Sequence, residues 1–156
     1  MRKIFSSVIA LVFIVPLLAK ASLPVVVSTD ELVENTDHLF VGHIVGVDMV
    51  NDQGRQLTDP TERTGPGSKN VIRLIVDIDE VIISPAKKVP ETIKVPLDSF
   101  MHYSLGQIKK VHEGKSEKFL LLLKGKDFQP PFPGVFGRGL EEGEVIVNLM
   151  KNKPAQ

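Results

Sequence analysis

Residues 38–50, HLFVGHIVGVDMV, form a long unbroken run of strand-forming residues, and residues 70–84, NVIRLIVDIDEVIIS, repeat the pattern. This pair constrains the fold more than anything else in the chain. A strand sends alternate side chains to opposite faces, and its backbone N–H and C=O groups must find partners. In the first run Leu39, Val41, His43, Val45, Val47 and Met49 share one face, and Phe40, Gly42, Ile44, Gly46, Asp48 and Val50 the other. Gly42 and Gly46 inside it mark bending, a bulge or close backbone approach, as at a barrel corner. In the second run Ile72, Leu74, Val76 and Ile78 point inward, with Arg73, Asp77 and Asp79 outward. Its parity breaks over Glu80-Val81-Ile82, consistent with a bulge or the end of pairing.

Shorter elements fall around these two. Ser28-Thr29-Asp30-Glu31 reads as a capping box, in which the Ser28 hydroxyl accepts a bond from the Glu31 amide, so a short helix is expected, ending by Asp37. Residues 92–97 form a third strand, with Pro90 and Pro96 at its boundaries. Residues 117–124, with the run Phe119-Leu120-Leu121-Leu122-Leu123, have the length and flanks of a buried strand; a helix is the rival, for which Gly114 and Gly125 leave only about two turns' room. Residues 144–150 are expected to form the last strand, entered through Gly143. The polar segment 51–69 has no apolar period and reads as a mobile excursion; 98–111 is the least regular piece, with room for one helical turn. Five strands, two of them long and glycine-bent, with an irregular link after the third, predict a mostly β fold. The expected form is a five-stranded OB-like, partly open barrel with a short N-terminal helix.

The N-terminus reads as an export signal. Arg2 and Lys3 precede an apolar run from Ile4 to Leu18, and Ala19-Lys20-Ala21 offers the small-x-small pattern of a cleavage site before Ser22. The run is too short for a membrane span of about 20 apolar residues. Residues 1–21 are thus expected to be a signal peptide and 22–156 a single domain, with no stable membrane insertion after cleavage. Removing Arg2, Lys3 and Lys20 takes the balance from 19 basic against 19 acidic to 16 against 19. A mildly acidic mature chain argues against nucleic-acid binding, which needs clustered positive charge. The chain has no cysteine, which excludes disulfides, thiol catalysis and thiolate metal sites. A disulfide-free exported domain fits a bacterial periplasm.

ENTDHLFVGHIVGVD, followed by IRLIVDIDEVI and then EKFLLLLKG, resembles the pattern of small secreted bacterial OB-fold proteins related in shape to netrin-like and TIMP-like domains. The resemblance implies a helix leading into a Val-Gly strand, a second strand ending near a Glu-Val step, and a Leu-rich strand. The cysteines of the animal domains are missing, and Ser22 stands where the inhibitors among them carry a metal-chelating cysteine. Their metalloprotease-blocking mechanism therefore does not carry over.

Reactive groups are sparse. His43 lies among Leu39, Val41, Val45 and Val47, where a hydrogen-bonded packing histidine is the expectation. Met101, His102 and His112 are the metal-ligand candidates, a soft set suited to copper, weighed against ordinary surface-loop residues. Ser99, Ser104 and Ser116 lie in no Gly-x-Ser-x-Gly or Ser-x-x-Lys motif. Asp77 and Asp79 share a strand face, and both this pair and the adjacent Glu141 and Glu142 read as solvated acids. No catalytic constellation and no cofactor are predicted.

The remaining feature is residues 127–139, DFQPPFPGVFGRG. Nine aromatics less Phe5 and Phe13 leave seven in the mature chain, and this segment holds three, Phe128, Phe132 and Phe136. Two readings compete: a loop that plugs an open barrel end with phenylalanine, or a proline-stiffened wedge that presents apolar anchors to a partner. Phe128, Phe132, Phe136 and Arg138, all on the loop 125–143, are the partner-binding candidates, and the loops 51–69 and 125–143 together form the expected recognition surface. The expected function is an exported non-enzymatic binding module for a periplasmic protein, of inhibitor or immunity type. The alternative is a metal-handling protein or metalloenzyme using His102 and His112.

Overall fold

The computed structural model describes residues 26–153; the expected signal peptide, its cleavage position before Ser22 and residues 23–25 lie outside them. Helix α1 (Thr29–Glu34) begins where the capping box requires, with Ser28 Oγ accepting from the Glu31 amide at 3.2 Å. Then follow β1 (His38–Val50), β2 (Gln56–Leu57), β3 (Val71–Ile83), β4 (Thr92–Pro96), α2 (Leu105–His112), β5 (Lys118–Leu123), β6 (Gly137–Arg138), a 3₁₀ turn (Leu140–Glu142) and α3 (Gly143–Lys151). The protein is mostly β. One antiparallel six-stranded sheet runs in the order β4-β3-β1-β5-β6, with β2 also on β1, and it does not close on itself.

β1 organises the sheet. Its register against β3 shifts at Leu39/Phe40, Val41/Gly42 and Ile44/Gly46, the last leaving Val45 opposite no residue of β3. An extra residue inverts the alternation beyond it. Phe40 and Ile44 face the main core before the bulge, and Val47 and Met49 face apolar core after it. Gly42 is where backbones come too close for any side chain: an added Cβ would lie 2.6 Å from the Asp77 carbonyl oxygen.

The sheet has apolar cover on both faces, which explains the unbroken leucine run of β5. Leu121 and Leu123 join Phe40, Leu74, Val76, Ile93, Val95 and Phe136 in the main core. Leu120 and Leu122 point the other way, onto Leu32 and Val33 of α1, Leu39, and Ile146 of α3. Polar residues on β1, β3 and β4 pair with one another at a partly buried site. There Asp48, only 6 % exposed, accepts from Arg73 at 2.8 and 2.7 Å and from Lys94 at 2.9 Å.

Four expectations need correction. The described residues form six strands where the sequence predicts five, because two short pairings, β2 and β6, escape any periodicity argument. The last expected strand, 144–150, is helix α3. Its apolar residues fit both periods, and packing decides: Ile146 is buried with Val147, Leu149 and Met150 against it on one helical side, while Val145 is exposed. The link at 98–111 holds a two-turn helix, α2, rather than one turn. Ser104 Oγ accepts from the Gln107 amide at 3.3 Å, and Ser104-x-x-Gln107 is a capping pattern readable in the sequence. Finally, 51–69 is no free excursion. Leu57 pairs with Met49, the Thr64 amide donates to Tyr103 O at 2.9 Å, and Thr64 Oγ1 donates to Met101 O at 2.6 Å.

Candidate binding surfaces

The aromatic segment leaves β5 through a tight turn closed by Lys124 and Gln129, whose amides and carbonyls exchange bonds of 2.8 and 3.0 Å. Gly125 (φ 71°) and Phe128 (φ 52°) supply its left-handed residues, and Phe128 is the only non-glycine with positive φ among the described residues. That conformation turns the ring back onto the sheet: its centroid is 4.7 Å from the His38 ring and 5.8 Å from the Phe40 ring. His38 is itself buried, with Nδ1 2.9 Å from Ser84 Oγ and Nε2 2.9 Å from Gly125 O. Phe132 packs on the α1–α3 side of the sheet, and Phe136, 7 % exposed, sits in the main core. All three rings thus hold the loop down. Arg138 is likewise engaged, donating to Val27 O at 3.1 Å and Gly137 O at 3.0 Å, with Glu142 3.7 Å away.

The outer side of this loop carries its prolines. Pro130, Pro133 and Gln129 face Pro96, Leu97 and Phe100 across a shallow cleft of about 330 Å³, and Phe100 is 73 % exposed.

The metal-ligand candidates stand in different surroundings. His102 is exposed beside Gly65, whereas His112 closes α2 and lines a groove with Ile44 and Lys115. No group of three or more His, Asp or Glu residues suited to holding a metal ion occurs among the described residues. Burial, aided by the nearby Lys115 charge, holds the His112 imidazole below the usual histidine range and favours its neutral form. His43 is not packed among the apolar residues next to it in sequence. It is partly exposed and makes the expected hydrogen bond, with Nδ1 2.8 Å from Asp79 Oδ2, and Lys118 approaches the same carboxylate at 3.2 Å. The His43 hydrogen bond, opposed by some burial and helped by Lys118, keeps the Asp79 carboxyl below its ordinary range.

A concavity of about 840 Å³ lies between β1 and α2. Its floor is Ile44, Val45, Gly46 and Val47, with Val45 50 % exposed; its wall is Gly106, Lys109, Lys110 and His112; its rim is residues 113–116. The floor is a gap in the sheet. Along this edge β1 pairs with β5 only as far as His43, and with β2 only from Met49. Among the described residues, 44–48 have no strand partner there, over a length of about 17 Å at strand rise. Of these groove residues the sequence singles out only His112, and that as a metal-ligand candidate rather than as part of a groove. The KKVH run and the Ser104 cap are visible signals, but nothing local places them against a bulged stretch sixty residues earlier.

Among the described residues no helix is long and apolar enough to cross a membrane. The chain matches no family model, no curated protein and no solved structure.

Proposed function

We propose that this protein is an exported, non-enzymatic binding module that takes a protein partner in the groove between β1 and α2. The observation that carries this reading is the edge of β1 at residues 44–48, unpaired among the described residues and lying in the groove of about 840 Å³ beside α2. Free backbone donors and acceptors beside apolar side chains favour a peptide-bearing partner, since an exposed strand edge is a template for pairing. The framework is an OB-like barrel left open at this point. The β1–β3–β4 meander, the helix between β4 and β5, and the return of β5 to β1 support that assignment. The basic, apolar and small-residue pattern of residues 1–21 supports export into a bacterial periplasm. The cleft framed by Pro130, Pro133 and Phe100 extends the apolar surface available to a partner.

The test is site-specific photo-cross-linking in cells, with the cross-linker at position 45 and, as control, at the exposed position 34 on α1. A discrete protein adduct from position 45 and none from position 34 is the expected result. No adduct at position 45 would refute the assignment of the groove.

A further inference from the structure

The groove is charged as well as open, and its charge states what enters it. Lys109, Lys110 and Lys115 are all exposed on its wall and rim, and none of them makes an ion pair among the described residues. The first two complement the negative end of α2, yet their ammonium groups have no carboxylate partner. Glu113 is the one acidic residue lining this groove; Glu117 and Lys118 line the adjoining hollow, and Asp79 is already shared between His43 and Lys118. Three free cations against one anion form a local excess on a chain whose 19 basic and 19 acidic residues otherwise balance. Below them lie the partly exposed Ile44, Val45 and Val47 and the unpaired β1 edge.

From this juxtaposition we propose that the occupant is an extended acidic peptide segment of the partner protein, which adds as a strand to residues 44–48 of β1. This rests on the groove being the binding surface. An extended segment supplies the backbone hydrogen bonds that the edge lacks, and its side chains alternate between two directions at a period of two residues. One set covers Ile44, Val45 and Val47; the other set, if acidic, meets Lys109, Lys110 and Lys115. A compact anion would satisfy the lysines and leave the edge open, while a neutral strand would satisfy the edge and leave the lysines unpaired. Only a segment that is both extended and acidic answers both features.

The probe is the acetylated, amidated heptapeptide Glu-Val-Glu-Val-Glu-Val-Glu carrying a fluorophore, titrated with the protein and read by anisotropy. Three controls accompany it: the same peptide with Lys for Glu, the acidic peptide N-methylated at alternate amides, and the triple variant K109E/K110E/K115E. These lysines are surface residues, so the variant should melt with the wild type. The expected results are saturable binding of the acidic peptide that weakens with salt, and at least tenfold weaker binding of each control. Equal binding of the acidic and basic peptides overturns the proposal, and so does insensitivity to N-methylation. Absence of acidic-peptide binding overturns it as well. If cross-linking at position 45 still captures a partner in that case, the groove remains the binding surface; if both fail, both readings fall.

Discussion

Phe128 offers the sharpest test of how the aromatic loop is held, because backbone and side chain act there in opposite senses. At φ 52° an ordinary residue is strained by about 1–2 kcal/mol, and glycine is not. Glycine in turn costs about 0.5–1 kcal/mol in unfolded-chain entropy. Replacing the ring removes a half-buried side chain tilted against the His38 and Phe40 rings, a loss of about 2 kcal/mol from burial and aromatic contact together. Phe128→Ala should therefore lower stability by about 2 kcal/mol. Phe128→Gly should be the milder change, by about 0.5–1 kcal/mol, because it also relieves the strain. At Phe136, where φ is not positive, the order should reverse, with Phe136→Gly below Phe136→Ala and both costing about 3–5 kcal/mol. Urea unfolding of the four variants at constant m reads the differences directly. Finding Phe128→Gly less stable than Phe128→Ala would refute the argument that a left-handed backbone aims that ring at the sheet.

Further outcomes follow from other parts of the fold. Burial pushes the Asp48 carboxyl up, but hydrogen bonds and charge from Arg73 and Lys94 outweigh it and hold it below its ordinary range. Its contribution is then complete above the unfolded carboxylate value of about 3.9 and is lost as pH falls through the lower folded value. Asp48→Asn should thus be less stable than wild type by about 1–3 kcal/mol at pH 7, with the gap shrinking by pH 2.5 in urea melts. Gly42→Ala should cost at least about 2 kcal/mol in the same assay, since its methyl would collide with the Asp77 carbonyl and no flexible side-chain end can move aside. Ile146→Ala should cost about 2–5 kcal/mol and Val145→Ala less than about 0.5, a contrast expected of a helix buried on one side only. His112 should titrate by NMR below the ordinary histidine value, and Lys115→Ala should move it upward.

Much of this architecture is written locally. Ser28 and Glu31 announce α1, the alternation in β3 is unbroken from Ile72 to Ile78, and Gly42 and Gly46 flag the irregularities of β1 before any partner is known. Such features are legible because capping and strand periodicity depend on residues within a few positions of each other. Residues 144–150 mark where that legibility stops. Their apolar side chains suit either period, and burial of Ile146 against α1 and β5 selected the helix.

The sequence by itself determined a cysteine-free β chain, its capped first helix and the two long strands around which it is built. Tertiary structure alone decided that Phe128, Phe132 and Phe136 turn inward, that Arg138 is spent on Val27, and that three lysines flank an unpaired edge of β1. The physical reason is range. Periodicity and caps are set by neighbours along the chain, whereas the direction of a ring and the partner of a strand edge are set by groups brought together only when the sheet forms.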